Sequence, residues 1–385
     1  MKTDKLFRIT TVPQSLRGLL RGQLRFMSDF YNVTGISSAG EALQDVTKNE
    51  GVPVVEVAMT RAITPIQDLK AVWQLYKIFR KEKPQIVHTH TPKAGTVGML
   101  AAKLAGVPHR LHTVAGLPLL VVQGKKRTLL DAVEKFTYSC ATRVYPNSYG
   151  LLKIIQEQNY TSDTKLKVIG NGSSNGINTA LFDPVLQTES EKQQLRTQLG
   201  IHFQDFVFVF VGRLVGDKGI NELVSAFGKM ASEYQNVKLL LVGPFEANLD
   251  PLLPDTLREI ESNKNIIAAG FQPDVKPYFA ISDALVFPSY REGFPNVVMQ
   301  AGAMGLPCAV SDINGCNEIV IEGENGIIFP VKNTGAIFKA MQKLLTDKEF
   351  TGRLSQNART MIVSRYEQQK VWEAILHEYQ SLRKS

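Results

Sequence analysis

The stretch Phe206-Val207-Phe208-Val209-Phe210-Val211-Gly212-Arg213-Leu214-Val215-Gly216-Asp217-Lys218-Gly219 decides the fold. Six apolar residues in a row, without the alternation of a half-exposed strand, describe a parallel strand buried on both faces. The strand stops at a glycine, and apolar spacing near three and four then runs through Gly219–Tyr234 as a helix. The same unit recurs along the chain. In the first half, strands are expected at Leu6–Val12, Asn32–Ser37, Pro53–Val57, Ile86–His90, Arg110–Val114, Arg143–Pro146 and Leu166–Ile169. In the second half they are expected at Phe206–Val211, Lys238–Val242, Asn265–Ala269, Ala284–Phe287, Cys308–Ser311 and Gly326–Phe329. Helix-length segments such as Ile66–Lys81 separate them. Strand and helix alternating through two runs imply an α/β protein of two doubly wound, Rossmann-like domains whose facing sheet edges leave a central cleft.

The chain of 385 residues is too long for one ordinary core, consistent with two domains. The turn-rich Asn171-Gly172-Ser173-Ser174-Asn175-Gly176 places the boundary. The expected division is 1–180, 181–360, and 361–385 as C-terminal helices for which a return to the first domain is open. A hydrophobic content of 44% with 21% charged residues excludes a disordered or collagen-like chain. No apolar run is long enough to cross a bilayer, and Met1-Lys2-Thr3-Asp4-Lys5 carries no export signal. Three cysteines (Cys140, Cys308, Cys316) without metal-like spacing point to a reduced cytoplasmic protein free of disulfides. Charge is uneven: residues 1–180 hold 24 basic against 12 acidic side chains, and the remainder 20 against 24. The first half is therefore expected to face something anionic, whether nucleic acid, a membrane or a phosphorylated substrate.

Two clusters in the second half can carry chemistry. After the strand, Gly212 permits close backbone approach, Arg213 offers a fork for a phosphate, and Lys218 adds a mobile charge before the helix start. A plain turn with solvated charges fits the same spacing. The pattern is not a Walker loop, because Gly-Lys-Ser/Thr is missing. The second cluster is Pro288-Ser289-Tyr290-Arg291-Glu292-Gly293-Phe294-Pro295-Asn296-Val297-Val298-Met299-Gln300. Glu292 can accept hydrogen bonds from hydroxyls, Gly293 lets the loop approach a ligand, and Gln300 lies one helical turn beyond Asn296. An ordinary surface turn has the same composition.

In this order and spacing, Gly212-Arg213-Leu214, Lys218-Gly219, Glu292-Gly293-Phe294-Pro295-Asn296 and Gly305-Leu306-Pro307 resemble the retaining family 4 glycosyltransferases of GT-B fold that build bacterial surface polysaccharides. The resemblance covers most of the chain and is strongest over 205–330. It implies that Arg213 and Lys218 bind the donor diphosphate and that Glu292 contacts the transferred sugar. It further implies that the backbone of Phe294, Pro295, Asn296 and Val297 holds sugar hydroxyls and phosphate, and that Phe271 lies in the loop against the base. The family carries a second Glu on the ribose where this chain has Gln300, which leaves a neutral hydrogen bond of about half the strength. No metal and no cofactor are implied.

The first half contributes Ile86-Val87-His88-Thr89-His90-Thr91-Pro92-Lys93. Two His two apart on a strand face the same way, but a third metal ligand is missing. The resemblance places His90, Thr91 and Lys93 near the donor sugar, with His90 among the catalytic candidates. Many relatives carry a His where this chain has Ala115, which leaves His90, His112 or the donor phosphate to take a proton. Arg17, Arg21 and Arg25 recur every four residues beside Leu16, Leu19, Leu20, Leu24 and Met27. They read as a basic amphipathic helix for an anionic membrane surface, or as a surface helix burying its leucines. Lys125, Lys126 and Arg127 form a second basic cluster beside the apolar 117–122. An acceptor saccharide on a polyprenyl diphosphate, at the inner face of the cytoplasmic membrane, accounts for the positive half. The expected donor is a UDP-linked hexose or N-acetylhexosamine. The alternatives are a nucleotide-sugar epimerase or another enzyme of the same fold. Nucleic-acid binding is disfavoured, since no aromatic stacking platform accompanies the basic residues.

Overall fold

In the computed structural model of the chain, residues 4–117, 119, 122–246, 248 and 250–382 are described. Met1 to Thr3 and the apolar Pro118, Leu120 and Val121 lie outside them. The chain divides into two units, one running to Asn175 and resuming at Gln369, the other spanning Gly176–Gln368. The crossings therefore fall at 175/176 and 368/369, where the sequence suggests 180/181 and 360/361.

The first unit carries strands β1 (Lys5–Ile9), β2 (Asn32–Ser37), β3 (Val54–Glu56), β4 (Ile86–Thr89), β5 (His109–Val114) and β6 (Arg143–Pro146). Its helices are α1 (Pro13–Leu19), α2 (Gln23–Ser28), α3 (Glu41–Glu50), α4 (Pro65–Glu82), α5 (Pro92–Leu104), α6 (Gly124–Cys140) and α7 (Tyr149–Glu157). The second unit carries α8 (Glu189–Gln198), β7 (Phe206–Val211), α9 (Ile220–Glu233), β8 (Val237–Val242), α10 (Pro254–Ser262) and β9 (Ile266–Gly270). It continues with α11 (Lys276–Ala280), β10 (Ala284–Phe287), α12 (Asn296–Ala303), β11 (Cys308–Ser311), α13 (Cys316–Ile319) and β12 (Gly326–Phe329). The chain ends with α14 (Thr334–Thr346), α15 (Lys348–Tyr366) and α16 (Gln368–Leu382).

Both sheets are six-stranded and wholly parallel, in the orders β3-β2-β1-β4-β5-β6 and β12-β11-β10-β7-β8-β9. In each, the chain moves outward from its first strand and then returns to that strand's other side. The carboxyl ends of β1 and β4, and of β7 and β10, thus flank the point where strand order reverses, and there such sheets receive ligands. Val207 to Phe210 are fully buried, so β7 is covered on both faces as its composition demands.

Two expectations fail for local reasons. Leu166–Ile169 is not a strand, because only Leu166 pairs with the sheet, as an isolated bridge to Val144. The arginine segment is not one helix. Gly22 takes a left-handed φ of 78° and ends α1's path before α2 begins. The Glu50 carboxylate accepts from the amides of Gly22 at 2.7 Å and Arg25 at 3.1 Å, capping the new helix start. Leu16, Leu20, Leu24 and Met27 are fully buried against Val371, Ile375 and Tyr379 of α16. The leucine face is therefore core and is not available to a membrane.

Candidate functional site

In the second unit the two sequence clusters meet where strand order reverses. Lys218 follows β7, Glu292 follows β10, and their side chains form an ion pair with each about one-sixth exposed, at 16% and 17%. The Ser289 hydroxyl donates to the same carboxylate at 2.8 Å, which fixes the Glu292 rotamer. The two loops are braced twice more, by Arg291 on Asp217 at 2.8 Å and by the Tyr290 amide on the Asp217 carbonyl at 2.9 Å. Their closeness explains Gly219, whose φ is 71° and where a Cβ would collide with the Pro288 carbonyl oxygen. Arg213, half exposed, pairs with Glu246 of the loop after β8 at 3.1 Å. Both cations thus stand in the loop after β7, paired with carboxylates from the loops after the neighbouring strands β8 and β10 that an incoming dianion can displace.

The remaining residues of the cluster take different parts. Phe294 is buried, edge-on to Tyr366, so its ring belongs to the core. The Asn314 amide donates to the carbonyls of both Glu292 and Gly293, the latter at 3.2 Å, and holds the loop open ahead of α12. Pro295 precedes α12, whose first residues are Asn296 and Val297, and Gln300 stands half-buried one turn later. Phe271 is exposed after the end of β9. Glu246, Ser289 and Asn314 are functional candidates that the sequence reading missed. Only Asn314 carries a local signal, the Asn-Gly turn with Gly315.

In the first unit the corresponding reversal brings together Thr11, after β1, and Thr91, after β4. Their hydroxyls lie 2.7 Å apart and the Thr11 amide donates to Thr91 at 2.9 Å. Lys93 forms an ion pair with Asp68 in the first turn of α4. His90 is buried, and its Nε2 accepts from Arg8 Nε at 2.9 Å. Arg8 is itself fully buried, and its second donor reaches Gln23. His88 is bonded through both ring nitrogens, to Tyr379 and to Thr113 at 2.7 Å, and His112 to Thr89 at 2.8 Å. The paired His rings are 4.1 Å apart, so the strand does aim them alike. Burial first, then the neighbouring charges of Arg8 and the other imidazoles, pushes His88 and His90 well below the usual imidazole range. Burial, outweighing the hydrogen bond at Thr89, brings His112 down to about 4. These rings are neutral hydrogen-bonding groups. Among the described residues, no group of three or more His, Cys, Asp or Glu is placed to hold a metal ion.

The basic clusters also separate. Arg17, Arg21 and Arg25 line an open groove of about 920 Å³ with Asp45, Lys48 and Glu50. Arg17 pairs with Asp45 at 2.7 Å, and Arg25 bonds the Asn49 carbonyl. Lys125 and Lys126 are exposed at the start of α6, whereas Arg127 is committed to Asp131 at 2.8 Å and to Tyr160 at 3.3 Å. Leu117 and Leu119 are buried. All three cysteines are buried outside disulfides. Among the described residues no helix is long and apolar enough to cross a membrane.

The family model described as "Glycosyl transferases group 1" matches residues 191–361, and "Glycosyl transferase 4-like domain" matches 18–172. The chain is 34% identical over 385 residues to the capsular polysaccharide biosynthesis glycosyltransferase CapM of Staphylococcus aureus, covering 100% of this chain and 99% of that one. It is 31% identical over 310 residues to the UDP-Gal:alpha-D-GlcNAc-diphosphoundecaprenol alpha-1,3-galactosyltransferase of Escherichia coli, covering 80% and 78%. Among solved structures, Anabaena HepE in complex with UDP superposes with a TM-score of 0.80 at 18% identity, over 98% of this chain and 100% of that one. A glycosyltransferase from Rickettsia africae superposes with a TM-score of 0.81 at 18% identity, over the whole of both chains. At such identity the structural likeness shows the fold, which is GT-B.

Proposed function

Because the chain belongs to the group 1 glycosyl transferases, we propose that it moves a sugar from a nucleotide-diphosphate donor to a saccharide carried on a polyprenyl diphosphate. The observation that carries the reading is the Lys218–Glu292 pair at the reversal of the second sheet, with Arg213 beside it. In this reading the bond between the sugar's anomeric carbon and the diphosphate oxygen breaks, and its electron pair stays on the diphosphate. Arg213 and Lys218 stabilise the charge that develops there, and supply this without a metal ion. Glu292 accepts hydrogen bonds from sugar hydroxyls, and its negative charge favours the positive character the ring acquires. The amides at the start of α12 meet the phosphate, Phe271 lies along the base, and Gln300 accepts one ribose hydroxyl. The acceptor hydroxyl attacks from the face the diphosphate leaves, and a donor phosphate oxygen takes its proton, so the anomeric configuration is retained.

On the first unit, His90, Thr91 and Lys93 provide polar contacts beside the reversal of that sheet. The groove of Arg17, Arg21 and Arg25 offers positive charge to the phosphates of the acceptor, and Lys125 and Lys126 face an anionic surface at the inner face of the cytoplasmic membrane. The names of the Staphylococcus and Escherichia relatives support a role in surface polysaccharide and an undecaprenyl-diphosphate acceptor, and the UDP held by HepE supports a uridine donor. The test supplies UDP-hexoses and UDP-N-acetylhexosamines with a polyprenyl-diphosphate-linked saccharide. The expected product is longer by one sugar, retains the donor's anomeric configuration, and forms equally well with chelator present. Interconversion of nucleotide sugars without transfer would instead identify an epimerase.

A further inference from the structure

With the leucines of α1 and α2 consigned to the core, the first unit still presents an apolar face to solvent, on α4. This helix buries Ala71, Val72, Leu75 and Phe79. On the opposite side Ile66, Leu69 and Trp73 stand 74%, 66% and 58% exposed, and Ile63 just ahead of the helix is 58% exposed. The spacing of three and four puts Ile66, Leu69 and Trp73 on one stripe. Lys70, Lys77, Arg80 and Lys81 are exposed along the same stripe toward the C-terminal half. Lys77 Nζ lies 5.3 Å from the Trp73 ring centre, and Tyr76 stacks on that ring at 5.2 Å. A water-facing side of a helix ordinarily carries polar residues, and large apolar side chains gathered there mark an interaction surface.

The neighbouring helices extend this surface. α5 packs between α4 and α6. α6 exposes Leu129 and Phe136 in line with Lys125 and Lys126 at its start. The ion pair between Lys93 and Asp68 ties the first turns of α5 and α4 together, and Thr91 stands at the N-cap position of α5 with its hydroxyl turned to Thr11. The apolar end of α4 thus lies at the carboxyl edge of the first sheet, beside the threonines of its reversal point.

We propose that the outer face of α4, continued by α6, is the surface on which the enzyme sits on anionic membrane. Ile63, Ile66, Leu69 and Trp73 enter the boundary between headgroups and acyl chains, while Lys70, Lys77, Arg80 and Lys81 meet lipid phosphates. Charge decides the occupant: the apolar stripe is flanked by cations, as an anionic bilayer surface requires. The proposal rests on the reading of a lipid-linked acceptor, whose prenyl chain would enter the bilayer next to the edge that receives its saccharide.

The test uses the full-length protein with vesicles of phosphatidylcholine alone, or with phosphatidylglycerol added. The protein should sediment with the anionic vesicles, and brominated acyl chains should quench its fluorescence, with the quenching absent in Trp73→Phe. Ile66→Ser/Leu69→Ser/Trp73→Ser should lower partitioning more than tenfold, with thermal midpoint and nucleotide-sugar binding unchanged. Lys70→Gln/Lys77→Gln/Lys81→Gln should lower it about a hundredfold on anionic vesicles, and added salt should reproduce the loss. Unchanged partitioning of the apolar variant, or sedimentation without quenching of Trp73, overturns the proposal. So does concentration-dependent self-association abolished by the apolar variant, which would give this face to a second copy of the chain. Transfer to a water-soluble acceptor is the separate readout. If wild-type protein binds vesicles through Trp73 yet transfers nothing, the assigned reaction fails while this surface stands.

Discussion

Lys218 and Glu292 share a contact in which neither side chain is fully solvated, so removing either leaves its partner's charge without its counter-ion. Their proposed roles differ from that of Gln300 in a measurable way. Glu292→Gln removes a charge felt as the sugar becomes positive, and is expected to lower kcat. Gln300→Ala removes a ribose contact made equally in ground and transition states, and should raise KM while sparing kcat. Lys218→Ala is expected to lower kcat/KM about 10²–10³-fold, as for loss of one oriented donor to a developing anion. Steady-state kinetics on the three variants check this, and a larger kcat loss for Gln300→Ala would reverse the assignments. Arg213, Lys218 and Glu292 were legible because each lies a short, fixed distance past an apolar strand. Glu246, 33 residues from Arg213, and Asn314, 22 residues from Glu292, were not. Only the folded sheet makes them neighbours.

A loop that ends a strand and starts a helix within a few residues leaves its glycine little latitude. At Gly219 the left-handed backbone begins α9 and the Pro288 carbonyl occupies the space of a side chain. Gly219→Ala should therefore destabilise the second unit by about 1–3 kcal/mol and spread the loops that bear Lys218 and Glu292. Chemical denaturation with parallel donor binding measures both effects, and wild-type values for each would show that the loops are not wedged. Strands such as β7 and β10 were legible to the residue, because continuous apolar runs admit no other register. The break at Gly22 was not. Arginines every four residues fit one helix on periodicity alone, and a left-handed glycine stabilised by a distant Glu50 carries no local signature. Periodicity also could not say what covers the leucines, since α16 lies near the other end of the chain.

The first unit as a whole carries a pH liability at its centre. Buried beside the Arg8 guanidinium, His88, His90 and His112 remain neutral in the fold, His112 down to about 4, whereas the unfolded chain takes up their protons below about 6.5. Depressed pKa values in the folded state mean that stability is lost as pH falls. Each ring costs up to about 1.4 kcal/mol per pH unit below 6.5 until its folded pKa is reached. Thermal midpoints should drop between pH 7 and pH 5, and His112→Gln should flatten the slope; an invariant wild-type midpoint would contradict the neutral cluster. At this scale two α/β units were legible from the alternation of periods, as was the uneven charge. The placing of α16 was not, because a terminal helix looks the same whichever core it joins. That placement sets the order of events during synthesis. Leu16, Leu20 and Leu24 leave the ribosome early, yet their partners Val371 and Tyr379 emerge only after the entire second unit. At about 5–20 residues per second the early segment waits roughly twenty to seventy seconds with that apolar face uncovered. Until α16 emerges, the first half of the nascent chain thus carries an exposed apolar face that a chaperone would bind.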